Sequence, residues 1–290
     1  QSARYGATAV GGVVNLESFR PTKDGFSGVA GTELGTYNSK RANIGLGYLD
    51  ERTEIAFSLS RFDTDGFSAR SAGTEADGYT ETRGSLFFAY DLTDTARVGF
   101  NLLAIDAEGE YDEFTGDGAL PYDEYNTRDS LGGRVFAEIT TGAVAHSLSY
   151  AVFESDRISY SNGFATPFNG RRQTAEYTAA FSTGATTDWT AGVVHTKETA
   201  DGFTAKTNSA FVELAYAPTE ALDITATLRY DDLSNFDDKV TGRLALAYQL
   251  GGDMTLRAQA ATGYKPPTLY QLTSVYGRPD LLPEESTTFE

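Results

Sequence analysis

Apolar and polar residues alternate with a period of two along most of this chain, the pattern of a strand with two unlike faces. Ile44, Leu46 and Tyr48 alternate with Asn43, Gly45 and Gly47, and Ile55, Phe57 and Leu59 with Ala56, Ser58 and Ser60. The same spacing returns in Leu86/Phe88/Tyr90/Leu92, Val98/Phe100/Leu102, Val144/Leu148/Tyr150/Val152 and Val212/Leu214/Tyr216. It returns again in Leu222/Ile224/Leu228/Tyr230, Leu244/Leu246/Tyr248/Leu250 and Met254/Leu256/Ala258. Helical periodicity is close to absent. A slip of one residue would turn each set onto the wrong face, so register is strongly specified. The pattern predicts about thirteen antiparallel strands from residue 26 onward, joined by hairpins.

The breaks between the strands alternate in kind. Short ones are Asp50-Glu51-Arg52, Thr93-Asp94-Thr95, Thr141-Gly142-Ala143, Gly184-Ala185-Thr186, Pro218-Thr219-Glu220 and Gly251-Gly252-Asp253. Between them fall breaks that read as mostly longer and rich in Gly, Asp and Tyr: 65–80, 112–127, 161–171, 200–204, 234–239 and 265–283. Sorting tight turns to one side and long loops to the other is the habit of an outer-membrane barrel. A soluble β-sandwich also alternates, but its strands usually run to about 5–6 residues and its loops are not sorted by length. Tyr48, Tyr90, Tyr216 and Tyr248 stand near the short-turn ends of the apolar sets, as in an interfacial aromatic girdle.

Composition narrows the chemistry. The 290 residues include 41 acids and 23 bases for a net charge of −18, with no cysteine. Disulfides, zinc ribbons, iron–sulfur clusters and cysteine nucleophiles are thereby excluded, and an acidic total repels nucleic acid. The longest uncharged stretch, Ile139 to Phe153, is interrupted by Thr, Ser, His and Gly, whereas a membrane-spanning helix needs about 20 mostly apolar residues. Spanning β-strands need only about 9–11 and leave mean hydropathy low. Neither Gln1 nor Glu290 reads as a natural terminus, and the chain is expected to be an internal segment of a larger protein.

Two stretches carry a resemblance. Ser2-Ala3-Arg4-Tyr5-Gly6-Ala7-Thr8-Ala9-Val10-Gly11-Gly12-Val13-Val14-Asn15-Leu16 resembles the end of the plug domain of TonB-dependent outer-membrane receptors. Gly263-Tyr264-Lys265-Pro266-Pro267-Thr268-Leu269-Tyr270-Gln271-Leu272, followed by Tyr276 to Ser286 and Glu290, resembles a passage near the middle barrel strands of the same family, with Arg278 where Asn is usual. Strand count and turn spacing are most similar to its cobalamin- and siderophore-receptor branch. Independently of the family, Gly11-Gly12 permits close backbone approach and Val13–Leu16 reads as a short buried strand ended by Phe19-Arg20-Pro21. The expected fold is all-β: residues 1–22 as the end of a plug, and 23–290 as part of a transmembrane antiparallel barrel of about 22 strands.

The resemblance implies active uptake of a scarce bulky solute, a ferric siderophore or cobalamin, across the outer membrane of a Gram-negative bacterium. The TonB energy-coupling complex would supply the energy, and outer-membrane lipid and lipopolysaccharide would surround the wall. No cofactor is required, although in the cobalamin-receptor branch early-loop aspartates hold Ca²⁺. Candidates for such a site here are Glu75, Asp77, Asp112, Glu113 and Asp117, whose spacing is not that of an EF-hand. Leu103, Ile105 and Tyr111 share the inner parity of the strand 96–111. With Tyr79, Tyr122, Tyr125, Phe164, Phe168, Tyr270 and Tyr276 they make the loop side aromatic, which suits ring-bearing solutes and loop packing alike.

Parity also carries acids outward. Asp106, Glu108, Glu110 and Asp112 follow Val98, Phe100, Leu102 and Ala104. Arg61, Asp63 and Asp65 follow Ile55, Phe57 and Leu59, while Glu154 and Asp156 follow Tyr150 and Val152. Without a bulge they form a carboxylate collar that divalent cations would bridge to lipid phosphates; the alternative is ordinary solvated loop flanks. An enzyme would need a base, and neither His146 nor His195 has a Ser–His–acid context. A passive porin or adhesin-type barrel is the other reading, and it needs no plug.

Overall fold

The computed structural model describes residues 2–7, 13, 18–68, 70, 75–112, 124–252 and 254–290. Fourteen strands are paired antiparallel in simple sequential order. They are β1 (Gly25–Leu34), β2 (Lys40–Leu49), β3 (Thr53–Thr64), β4 (Tyr79–Thr93), β5 (Ala96–Glu110), β6 (Tyr125–Thr141) and β7 (Val144–Ser161). There follow β8 (Phe164–Ser182), β9 (Thr187–Ala200), β10 (Phe203–Thr219), β11 (Leu222–Leu233), β12 (Lys239–Gly251), β13 (Met254–Lys265) and β14 (Glu284–Phe289). Two short helices accompany them, α1 (Ser2–Tyr5) and α2 (Leu269–Thr273). Compactness divides the chain into residues 17–135 with 151–172, here the β1–β5 unit, and 1–16 with 136–150 and 173–290, the β9–β14 unit.

In the β1–β5 unit the ladders run unbroken from Gly25↔Leu49 to Leu34↔Lys40, from Thr53↔Tyr90 to Thr64↔Tyr79, and from Tyr79↔Gly109 to Asp91↔Arg97. The only shift lies beside the β4–β5 turn, between Asp91 and Thr93. One face therefore carries every apolar set: Ile44, Leu46, Ile55, Phe57, Leu59 and Leu102 are all more than a third exposed. The other face is built small. Ala56 and Ala89 are buried to 3% and 0% exposure, and Ser58 and Ser85 share a hydrogen bond of 2.7 Å.

Small residues there admit the chain that precedes β1. A Cβ added at Gly45 would lie 2.7 Å from the Phe19 ring, and one at Gly47 would lie 2.9 Å from Pro21. Between them Arg20 lies over the Phe87 ring at 3.1 Å and donates to Glu54 at 2.7 Å. Glu54 also accepts from Arg97 at 2.6 Å. The segment 19–21 is thus held by shape, a cation–π contact and a shared carboxylate.

The β9–β14 unit repeats the division of faces. Val193, Val212, Leu228, Leu244 and Leu246 are exposed on one side. Ser209, Phe211, Thr227, Arg229, Asp231 and Thr241 are buried on the other. Helix α1 rests on the second face, in contact with β10 to β13, with Ala3 1% exposed.

Several expectations need correction. The stretches 161–171 and 200–204 are not loops. Both β7–β8 and β9–β10 close through two-residue turns whose central residues are left-handed, Asn162 (φ 51°) with Gly163 (φ 76°) and Asp201 (φ 47°) with Gly202 (φ 88°). Those are the dihedrals of a type I′ hairpin, and Asn-Gly and Asp-Gly are the dipeptides it selects. Strand β14 adds to the thirteen predicted. Val13 belongs to no strand and is 47% exposed, while residues 14–16 lie outside those described. Helix α2 carries a readable signal: Thr268 and Gln271 form a reciprocal capping box.

Gly45→Ala should leave the β1–β3 register intact and dislodge residues 18–21, at a cost of about 1–3 kcal/mol. Faster amide exchange and proteolytic nicking confined to 18–24 would show it. Unchanged protection there would mean that Phe19 is not what Gly45 makes room for.

Candidate functional site

The polar face beneath α1 carries a buried cluster of charge. Arg229 and Asp231 stand two apart on β11 and so point the same way. The Arg229 guanidinium donates from Nε to both Asp231 oxygens at 2.9 and 3.0 Å, with side chains 6% and 1% exposed. Ser209 on β10 donates to the same carboxylate at 2.5 Å. The Tyr264 ring, 2% exposed, packs into this cluster beside Asp231 and Arg229. Gly6, at φ 87°, lies over Arg229: a Cβ there would be 3.2 Å from its Nη2. A side chain would meet both steric and dihedral resistance at this place.

One strand position away, Arg4 connects helix to sheet. Its Nε is 3.9 Å from Glu213, which also accepts from Thr227 at 2.9 Å. Its guanidinium carbon lies 4.4 Å from the centroid of the Phe211 ring. Phe211 in turn fits because β9 has Gly192 beside it, where a Cβ would come within 2.6 Å of the ring. Arg4 and Tyr264 stand in the two motifs that carry the family resemblance. Their charged neighbours Glu213, Arg229 and Asp231 were not singled out by sequence reasoning. The only available signal was charge at positions whose parity opposes the apolar set.

On the corresponding face of the β1–β5 unit, Tyr79 and Tyr111 lie at the ends of β4 and β5. Tyr79 donates to Glu81 at 2.9 Å, and Glu81 is shared with Arg128 and Arg83, each at 3.2 Å. The Tyr111 hydroxyl shares a 3.0 Å hydrogen bond with the Ser159 hydroxyl and donates to the Tyr160 carbonyl at 3.1 Å. Tyr125 stacks on Tyr160 with centroids 4.4 Å apart, and Phe164 is 76% exposed beside its turn. Arg157 lies over Phe168 at 5.7 Å. In the other unit Tyr270 lies on α2, and Tyr276 is 85% exposed in the loop that follows. Tyr122 lies outside the described residues.

Of the metal candidates, Asp112 accepts from the Ser68 hydroxyl and the Arg70 amide, both at 3.1 Å. The Asp77 carbonyl packs against Gly66, where an added Cβ would collide with it. Glu75 is exposed, and Glu113 and Asp117 lie outside the described residues. Among the described residues no three His, Asp or Glu side chains converge on one point. Acidic parity on β5 is as read: Asp106, Glu108 and Glu110 are exposed on the face of Leu102. Glu110, however, accepts from the Gly78 amide at 2.7 Å, which turns it back toward its own loop. His146 shares hydrogen bonds of 2.7 Å with Thr141 and Tyr177, and His195 one of 2.8 Å with Asn208.

The loop after α2 has its own brace. Gly277 sits against the carbonyls of Gln271 and Ser274, and the Arg278 amide donates to Gln271 at 2.7 Å. The Arg278 guanidinium makes a forked pair with Asp280 at 2.8 and 3.2 Å. That hydrogen bonding holds the Asp280 carboxyl below its ordinary pKa.

Removing Asp231 leaves Arg229 buried and uncompensated, so Asp231→Ala should cost about 3–5 kcal/mol in the denaturant midpoint. Arg229→Met with Asp231→Leu should cost far less; equal losses would deny that the unpaired charge is the cause. The Arg278–Asp280 fork, whose carboxylate pKa is depressed, should be complete above the usual carboxylate range and lost as pH falls through Asp280's lowered value. Titration of the Arg278 Nε resonance would track it, and a resonance indifferent to that range would disprove the fork.

Comparison with known proteins follows the same lines. The family model described as TonB dependent receptor-like, beta-barrel, matches residues 16–290. The vitamin B12 transporter BtuB of Vibrio vulnificus is 26% identical over 100% of this chain and 49% of its own length. The chain therefore spans about half the length of the curated relatives it matches. Among solved structures, the siderophore receptor PirA from Pseudomonas aeruginosa superposes with a TM-score of 0.78 at 21% identity, covering 99% of this chain and 56% of that one. A ferric enterobactin receptor (PfeA) mutant from the same organism gives 0.80 at 18% identity, covering 93% and 48%.

Proposed function

Since the chain belongs to the TonB-dependent receptor β-barrel family, we propose that it forms part of an outer-membrane receptor for energy-coupled import of a scarce bulky solute. The observation that carries this is the placement of α1. A passive pore needs no plug seated on the face opposite its apolar residues. Here Arg4, Ala3 and Gly6 are fitted to that face by a carboxylate, a ring and a buried guanidinium. Residues 1–22 are then the end of a plug, and 23–290 part of the wall.

The apolar face is read as lipid-facing. Large exposed apolar surface on a monomer marks a membrane or partner contact, and strands of this length with unbroken registers suit a transmembrane barrel. Tight turns would lie in the periplasm, with long loops outside. Tyr79 and Tyr111, on the plug-bearing face near the loop side, are proposed to meet solute. The TonB complex would act through the plug. The transport names of the relatives put cobalamin and ferric siderophores first among the solutes. The early loops are proposed to order around Ca²⁺ through some of Glu75, Asp77, Asp112, Glu113 and Asp117.

The test is binding to the full-length protein in micelles. Cobalamin and a panel of ferric siderophores should separate, with one class binding at least about 100-fold more tightly, a gap of about 2.7 kcal/mol. Ca²⁺ should tighten that class alone. Indifference to every solute would favour a passive pore.

A further inference from the structure

We propose that the polar face of the β1–β5 unit takes a solute of net negative charge, a ferric chelate whose anionic oxygens lie on Arg41, Arg83 and Arg128; this names the solute class for the receptor reading above and rests on it. Arg41 shares the parity of Gly45 and Gly47 on β2, and Phe62 that of Ala56 and Ser58 on β3. Glu81 and Arg83 share that of Ser85 and Ala89 on β4. All belong to the small-residue face. Pairing sets them in one row, Arg41↔Phe62, Phe62↔Glu81 and Glu81↔Ala107. Residues 19–21 hold the short-turn end of this face through Glu54 and Phe87. The row lies at its other end, next to the break between Thr64 and Tyr79.

Charge is unevenly matched there. Arg83 and Arg128 both reach Glu81 at 3.2 Å, and Tyr79 donates to the same carboxylate at 2.9 Å. One anion serves two guanidiniums and a phenol. The Arg128 Nε is buried with no hydrogen-bond acceptor among the described residues, and such an unmet donor is costly. Arg41 lies over the Phe62 ring at 4.8 Å. Its carboxylate, Glu33, stands 3.7 Å away with a side chain 76% exposed. At the short-turn end the balance is the reverse, since Arg97 reaches both Glu54 and Asp91. Three guanidiniums facing two carboxylates, in a chain of net charge −18, are a local change of sign.

Guanidinium forks suit paired anionic oxygens, which they take by charge-assisted hydrogen bonds. A ferric ion wrapped in catecholate or hydroxycarboxylate oxygens presents several such pairs and keeps a net negative charge. Cobalamin presents mostly neutral amides and a single phosphodiester, and a ferric trihydroxamate is neutral. Neither calls for three guanidiniums. Phe62 and Tyr79, with ring centroids 6.2 Å apart, place aromatic surface beside the charges, where a ring-bearing chelate can pack. All three arginine side chains are close to half exposed and so within reach of an incoming solute.

Binding is measured on the full-length protein in micelles with three probes: a trianionic ferric tris-catecholate, a neutral ferric trihydroxamate and cyanocobalamin. The tris-catecholate should bind most tightly, and added salt should weaken it alone. Arg83→Gln with Arg128→Gln should weaken it about 100-fold and Arg41→Gln about tenfold. Arg61→Gln, on the face of Phe57, should change nothing. Arg41→Gln strands no buried partner, so it reads the site even where the double variant loses the heat-modifiable mobility of an assembled barrel. Tighter binding of the trihydroxamate or of cyanocobalamin, indifference to salt, or wild-type affinity in Arg41→Gln would overturn the anionic site and leave the receptor reading standing. A wild type that binds none of the three overturns both.

Discussion

Strand parity is the constraint on which everything else depends, because each face of this sheet is intolerable to the other's surroundings. In each unit one face carries exposed apolar rows, Leu46, Phe57 and Leu102 in the β1–β5 unit and Leu228 and Leu244 in the β9–β14 unit. The other carries alanine, serine, glycine and paired charge. Were β11 displaced by one residue, Arg229 and Asp231 would enter the apolar face and Leu228 and Tyr230 would enter the space under α1. Taking that ion pair out of its partners' reach costs several kcal/mol, and the apolar loss adds to it. The buried pair thus contributes little as an attraction and much as a marker of register.

The face that bears α1 in one unit, and the face that bears residues 19–21 in the other, are each specified by what is missing from them. Gly45, Gly47 and Gly192 each stand where a methyl group would strike a neighbouring ring. Charges then fix what the glycines admit: Arg20 to Glu54 in one unit, Arg4 to Glu213 in the other. Each arginine also covers an aromatic ring, Phe87 and Phe211 respectively. A guanidinium suits this use because it is weakly hydrated and stacks on rings, which an ammonium does less well.

Strands and faces were legible because a period of two is written into every segment and each residue testifies to its neighbours. The loops were less legible for a definite reason. Around 161–171 and 200–204 the composition is polar and Gly-bearing, and averaging over it conceals the Asn162-Gly163 and Asp201-Gly202 dipeptides. Those dipeptides alone decide for a tight turn. Local chemistry there outweighs composition. Helix α2 escaped the same way: five residues are too few for a 3.6-residue period, but Thr268 and Gln271 announce the helix start. The site was legible only where a motif names its residue, as for Arg4 and Tyr264. Glu213, Asp231 and Glu54 pair across 34 residues or more or within one strand, and no spacing in the sequence encodes their partners.

The sequence-level acidity also changes meaning once placed. A net charge of −18 suggests a uniformly anionic surface, yet the acids are divided by function of position. Glu54, Glu81, Glu213 and Asp231 are spent on arginines of the polar faces, while Asp106 and Glu108 remain exposed on the apolar side of β5. Exposed carboxylates at the edge of an apolar band repel lipid phosphates, so an anionic leaflet can contact such a wall only through cations. Those are either bound ions or the protein's own side chains.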